Sequence, residues 1–197
     1  MKKWLKSLML IVLVVFAAAC ASDTKPAEEA IKAAESAIDV ARGEAMKYIP
    51  DQVQALEDEL KAAKDAFARK DYKTALNAAK DLPAKAKDLA AAAATKKEEL
   101  TKAWEEMSGG LPKMVEAIKS RVDVLSKSKK LPANLDKAAL DGVKAGLSEV
   151  AEMWNEAQNA FSGGNLADAV SKAETVKGKA VEMMNTLGMQ VPAGAES

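Results

Sequence analysis

From Ala27 to Leu187 the apolar residues of this chain recur at steps of three and four. That spacing lays one apolar stripe along an α-helix, whereas a half-buried strand needs alternation at two. Ile31, Ala34, Ile38, Ala41 and Ala45 open the series, and Val53, Leu56, Leu60, Ala63 and Phe67 follow. A third run extends from Tyr72 through Leu82 and Leu89 to Met107, and a fourth from Leu111 to Leu125. The fifth is the cleanest, with Leu140, Val143, Leu147, Val150, Trp154, Ala157 and Phe161, and the sixth runs from Leu166 to Leu187. Hydrophobic residues make up 49% of the chain but aromatic ones only 4%, so alanine carries much of the stripe. Alanine favours helix and fills a sheet core poorly.

The breaks between runs carry turn residues: Tyr48-Ile49-Pro50-Asp51, Arg69-Lys70-Asp71-Tyr72, Gly109-Gly110-Leu111-Pro112, Leu131-Pro132-Ala133-Asn134 and Ser162-Gly163-Gly164-Asn165. Pro83 lies inside the third run without disturbing its phase, which predicts a kink. The expected fold is all-α, about six antiparallel helices in an elongated bundle packed in the left-handed manner. The six helices fall naturally into two tandem three-helix repeats. Residues 63–90 align on 157–184 without gaps, pairing Phe67 with Phe161 and Asp71-Tyr72 with Asn165-Leu166. Glu29-Ala30-Ile31-Lys32 recurs as Glu116-Ala117-Ile118-Lys119. A duplication and a shared alanine bias both account for these matches.

Composition removes several chemistries. The chain has no histidine and one cysteine, which takes away the commonest general base and zinc ligand and any intrachain disulfide. Basic and acidic residues are 29 each; without Lys2, Lys3 and Lys6 the balance is 26 against 29, a net charge of −3. Nucleic-acid binding by counterion release needs a basic surplus that is not there. No phosphate loop, nucleophile elbow or dinucleotide fingerprint occurs. Neither catalytic residues, nor a metal site, nor a cofactor is expected.

The first nineteen residues have the form of an export signal. Lys2, Lys3 and Lys6 precede the uncharged run Leu8 to Phe16, which is too short for a bilayer span of ~20 residues. Ala17-Ala18-Ala19-Cys20 resembles the lipobox of bacterial lipoproteins, with alanine where leucine is commonest. The resemblance implies recognition of Ala17, Ala18 and Ala19 by the signal peptidase, cleavage before Cys20, and acylation of the Cys20 thiol and new amine. Several acyl chains at ~0.8 kcal/mol per buried CH₂ anchor stably where a single chain is marginal. Asp23 stands two positions beyond the place where aspartate resembles an inner-membrane retention signal. By that analogy the periplasmic leaflet of the outer membrane is the expected location.

The expected organisation is then a signal peptide over 1–19, a lipid-anchored linker over 20–26, helical repeats over 27–108 and 109–188, and a disordered tail over 189–197. The stretch from Glu29 to Ala94 resembles an uncharacterised, alanine-rich helical lipoprotein family of Gram-negative bacteria. The residues that carry the likeness are Tyr48-Ile49-Pro50, Ala63-Lys64-Asp65-Ala66-Phe67 and Lys70-Asp71-Tyr72-Lys73-Thr74-Ala75-Leu76. Family members have Gly-Asp-Tyr where this chain has Lys70-Asp71-Tyr72. The family has no established activity, so the resemblance implies no catalytic residue. Asp71-Tyr72 with Ala75-Leu76 is similar to a tetratricopeptide turn, but the 34-residue period of those repeats is missing.

The expected function is that of a non-enzymatic, lipid-anchored helical interaction or scaffold protein. Its partners are the membrane, through the anchor, and an envelope protein or a second copy of itself. The alternative is a carrier or sensor of a hydrophobic ligand held between helices. Phe67, Trp104, Trp154 and Phe161 are the expected lining of a ligand or partner groove, packing knobs being the other role open to them.

Overall fold

The structure, a computed structural model, describes residues 23–133, 135–193 and 195. The export signal, Ala17, Ala18, Ala19 and the lipidation candidate Cys20 lie outside the described residues. The described chain is all-α, with no strand among the described residues. Its helices are α1 (Thr24–Tyr48), α2 (Pro50–Ala68), α3 (Tyr72–Ala79), α4 (Leu82–Lys127), α5 (Lys137–Ser162) and α6 (Leu166–Thr186). No helix among the described residues is long and apolar enough to cross a membrane.

Contacts divide the chain into two compact units, 1–96 and 97–197. The division falls within α4 and not at the Gly109–Pro112 segment, where a turn was expected. That segment is helical. Met107, Leu111, Met114 and Ile118 keep the stripe in phase across it, and all four are buried. Burial on both sides overrides the local preference to break, and the ring of the internal Pro112 faces outward from an exposed position. Pro83 acts more strongly than a kink: Lys80 and Asp81 form a turn that ends one helix, and a new helix begins at Leu82 with the proline in its first turn. The stripe still holds, since Ala75, Ala79, Leu82, Ala86 and Leu89 are all buried. At the other end α1 begins at Thr24, so residues 24–26 of the expected linker belong to a helix.

In the first unit α1 and α2 are antiparallel. Arg42 pairs with Glu57 at 3.1 Å and Lys64 with Glu35 at 2.6 Å, so numbers rise on one helix as they fall on the other. The core beneath is mostly alanine, with Ile31, Ile38, Val53, Leu56 and Leu60 between. In the second unit Lys172–Glu156 at 2.8 Å and Lys179–Glu149 at 3.0 Å give α5 and α6 the same antiparallel relation. Its core has larger residues, among them Trp104, Met107, Met114, Met183 and Met184. No polar or charged residue among those described is buried.

Two helix-to-helix turns, one in each unit, match atom for atom. After α2, the Lys70 amide donates to the Phe67 carbonyl at 2.9 Å and the Asp71 amide to Ala66 at 3.0 Å. After α5, Gly164 donates to Phe161 at 2.9 Å and Asn165 to Ala160 at 2.9 Å. Each is a Schellman closure around a left-handed residue, Lys70 at φ 63° and Gly164 at φ 80°. The next residue then caps the following helix: Asp71 accepts from the Thr74 amide and Asn165 from the Asp168 amide. Glycine takes that left-handed conformation freely, whereas Lys70 is strained in it.

Gly142 and Gly146 have different surroundings. A Cβ at Gly142 would meet nothing within 4 Å, but one at Gly146 would stand 2.5 Å from the Met183 methyl. Gly142→Ala is therefore expected to raise stability by up to about 1 kcal/mol through helix propensity. Gly146→Ala should gain less or nothing. Urea midpoints in the opposite order would show that α5 and α6 do not approach at Gly146. A second prediction concerns Asp71, whose carboxyl is held below the ordinary aspartate value by hydrogen bonds from the Thr74 hydroxyl and amide. Its contribution to stability is present above the ordinary value and lost as pH falls through the lowered one. Thr74→Ala, which removes the hydroxyl and keeps the capping amide, should move the Asp71 titration upward in carboxyl NMR; an unchanged titration would show that the Thr74 hydroxyl does not reach the carboxylate.

Candidate functional site: a methionine-lined groove in the second unit

Of the four aromatic residues expected to line a groove, the structure brings three together. Trp104 stacks on Trp154 with ring centroids 5.5 Å apart and on Phe161 at 4.6 Å, at interplanar angles of 14° and 11°. Trp104 is buried, Trp154 half-buried and Phe161 45% exposed. This column ties α4 to α5 and serves as a large packing knob at the edge of the second core. Phe67 belongs to the first unit, where it meets Tyr72 edge-on at 5.2 Å.

A groove of the second unit lies elsewhere, between α4 and α6, and none of those four residues lines it. Its volume is about 880 Å³. From α4 it takes Met107, Leu111 and Met114, with Ala103, Gly110 and Ala117. From α6 come Gly178, Val181 and Met184, and from the chain after it Pro192, Ala193 and Ala195. Glu106, Lys113, Glu174 and Lys177 complete the wall. The tail after Gly188 was expected to be disordered; instead Met189, Val191 and Ala195 pack against the second core.

The groove exists because its wall is built of small residues. Gly110 and Gly178 have nothing within 4 Å of the point where a Cβ would stand. Each is a helical glycine that forgoes about 1 kcal/mol of helix propensity relative to alanine. Sequence reasoning read Gly110 as part of a turn and gave Gly178 no role. The signal that would have found Gly110 is the unbroken 107, 111, 114, 118 stepping through the glycine pair.

Apolar walls with a few charges can bind but supply little chemistry. Among the described residues no three or more Cys, Asp or Glu side chains cluster as a metal site would require. The paired carboxylates at Glu98-Glu99 are a candidate for acid chemistry only if raised in pKa. Glu98 instead lies below the usual carboxylate range because Lys102 donates a hydrogen bond to it at 2.7 Å. Comparison of the chain with protein-family models, with curated proteins and with solved structures finds no match.

If the aromatic column is a packing element, Trp104→Ala should lower stability by about 3–5 kcal/mol, as large-to-small core changes do. Phe161→Ala should have a clearly smaller effect because that ring is already half in solvent. Equal losses in urea unfolding would contradict the burial order of the stack.

Proposed function

We propose that this chain is a non-enzymatic, lipid-tethered binding protein of the cell envelope, whose working surface is the groove between α4 and α6. The observation that carries this reading is the groove itself: an apolar cleft of about 880 Å³ with charges of both signs. That volume lies in the range of ligand sites, which are concave, mainly apolar and furnished with a few polar groups. The tether rests on the leader, the Ala17-Ala18-Ala19-Cys20 string and the lone cysteine of the chain. It also fits the resemblance to the alanine-rich lipoprotein family. Acylation at Cys20 would hold the protein at the periplasmic face of the outer membrane, since Asp23 comes too late to resemble a retention signal.

Two uses of such a surface follow from the sequence reading. One is engagement of an envelope protein or a second copy, and the other is carriage of a hydrophobic ligand. Concavity and methionine lining favour the ligand, because methionine adapts its three torsions to an irregular apolar guest.

The anchor has a direct test. Cells expressing the full chain and fed radiolabelled palmitate should incorporate label into the protein, and Cys20→Ser should abolish it. The wild-type protein should also float with membranes in a density gradient. An unlabelled wild-type protein, or label retained in Cys20→Ser, would remove the tether.

A further inference from the structure

Resting on the reading of the groove as a binding surface, we propose that Met189–Ala193 is a detachable strap, hinged at Gly188, that regulates access to the groove. Attached, it closes one side of the cleft. Released, it uncovers the methionine wall.

The hinge comes from the end of α6. Gly188 stands at φ 64°, in the left-handed region that glycine enters without strain. Its amide donates to the Asn185 carbonyl at 3.1 Å and the Met189 amide to the Met184 carbonyl at 2.9 Å, a third Schellman closure. The segment that follows is extended, with Met189 and Val191 half-buried and Gln190 and Pro192 exposed. Met189 and Val191 pack against the second core. Pro192 and Ala193 border the groove, so its walls are α4, α6 and this segment.

The attachment is apolar. Past the Met189 amide, the tail's own hydrogen bond among the described residues is internal, from the Ala195 amide to the Pro192 carbonyl at 3.0 Å. No ladder or cap ties residues 190–193 to either helix. A segment held by two half-buried side chains, without backbone bonds to its neighbours, opens more readily than the helices beneath it. An apolar guest that takes the place of Met189 and Val191 shifts the protein toward the open state by its preference for that state. Affinity for the groove is then set by competition with the protein's own chain.

The test compares the full chain with Val191→Asp, and with a chain stopped after Gly188 as a second variant. Limited exposure to hydrogen peroxide, read by mass spectrometry, reports which thioethers solvent reaches. Met107 and Met114 on the groove wall should oxidise several-fold faster in both variants. The exposed Met46 and Met183, which packs at Gly146, should keep their wild-type rates. Helical circular dichroism should be unchanged. The apolar fluorophore N-phenyl-1-naphthylamine should bind both variants at least threefold more tightly than the full chain. Unchanged oxidation of Met107 and Met114, or loss of helix in both variants, would overturn the proposal. So would a fluorophore that binds all three forms equally. Faster oxidation with no fluorophore bound by any form keeps the strap and sinks the groove as a binding surface. Equal binding with unchanged oxidation keeps that surface and sinks the strap.

Discussion

Close approach of helices through alanine is the constraint on which the first unit depends. Ala27, Ala34, Ala45, Ala63, Ala75 and Ala79 are all fully buried. A methyl group brings little apolar area out of water, so such a core is stabilised only where backbones come near enough for many small contacts. The second unit departs from that arrangement. The Trp104 column and four buried methionines put larger knobs between its helices. Between α4 and α6 the wall residues Ala103, Gly110, Ala117 and Gly178 are too small to fill the space beside Met107, Met114 and Met184. The groove thus follows from mixing bulky and minimal residues along the same pair of helices.

The pattern of burial was legible in the sequence because helix period and stripe are one and the same observation. Leu140, Val143, Val150 and Ala157 were assigned to one face by spacing, and each is buried. Legibility failed where a strong local signal met a stronger tertiary one. Gly109-Gly110-Leu111-Pro112 reads as a turn by residue type, yet the stripe on either side holds it helical. Pro83 shows the opposite balance: one helix ends and another begins at the proline while the stripe passes undisturbed. Propensity acts on one residue at a time, and burial acts over a whole face. Both turns were legible as breaks, at Arg69-Lys70-Asp71-Tyr72 and Ser162-Gly163-Gly164-Asn165, but their shared Schellman closure was not, since its bonds are made by backbone groups and Lys70 stands where Gly164 does.

The candidate site was the least legible part. Aromatic residues drew attention because they carry the most apolar area, and that same property drew three of them into packing. The groove is instead defined by what its walls lack. Glycine in a helix reads as a defect, and methionine on a stripe as ordinary core filling. Only the positions of Met107, Met114 and Met184 around one cleft distinguish them from Met183, which spends its methyl against Gly146.

That absence has an energetic side. Pro112 inside α4 costs about 3 kcal/mol against alanine, and Gly110 and Gly178 about 1 kcal/mol each. Together they amount to about 5 kcal/mol, comparable with the lower end of the whole stability of a small domain. Substituting alanine at Gly110 or Gly178 would meet no atom and would recover its share. Gly110 and Gly178 stand on the wall of the cleft and Pro112 turns its ring outward beside it, so this helix pair carries local costs that folding alone does not require. Such costs concentrate where a surface must stay open for something other than the chain itself.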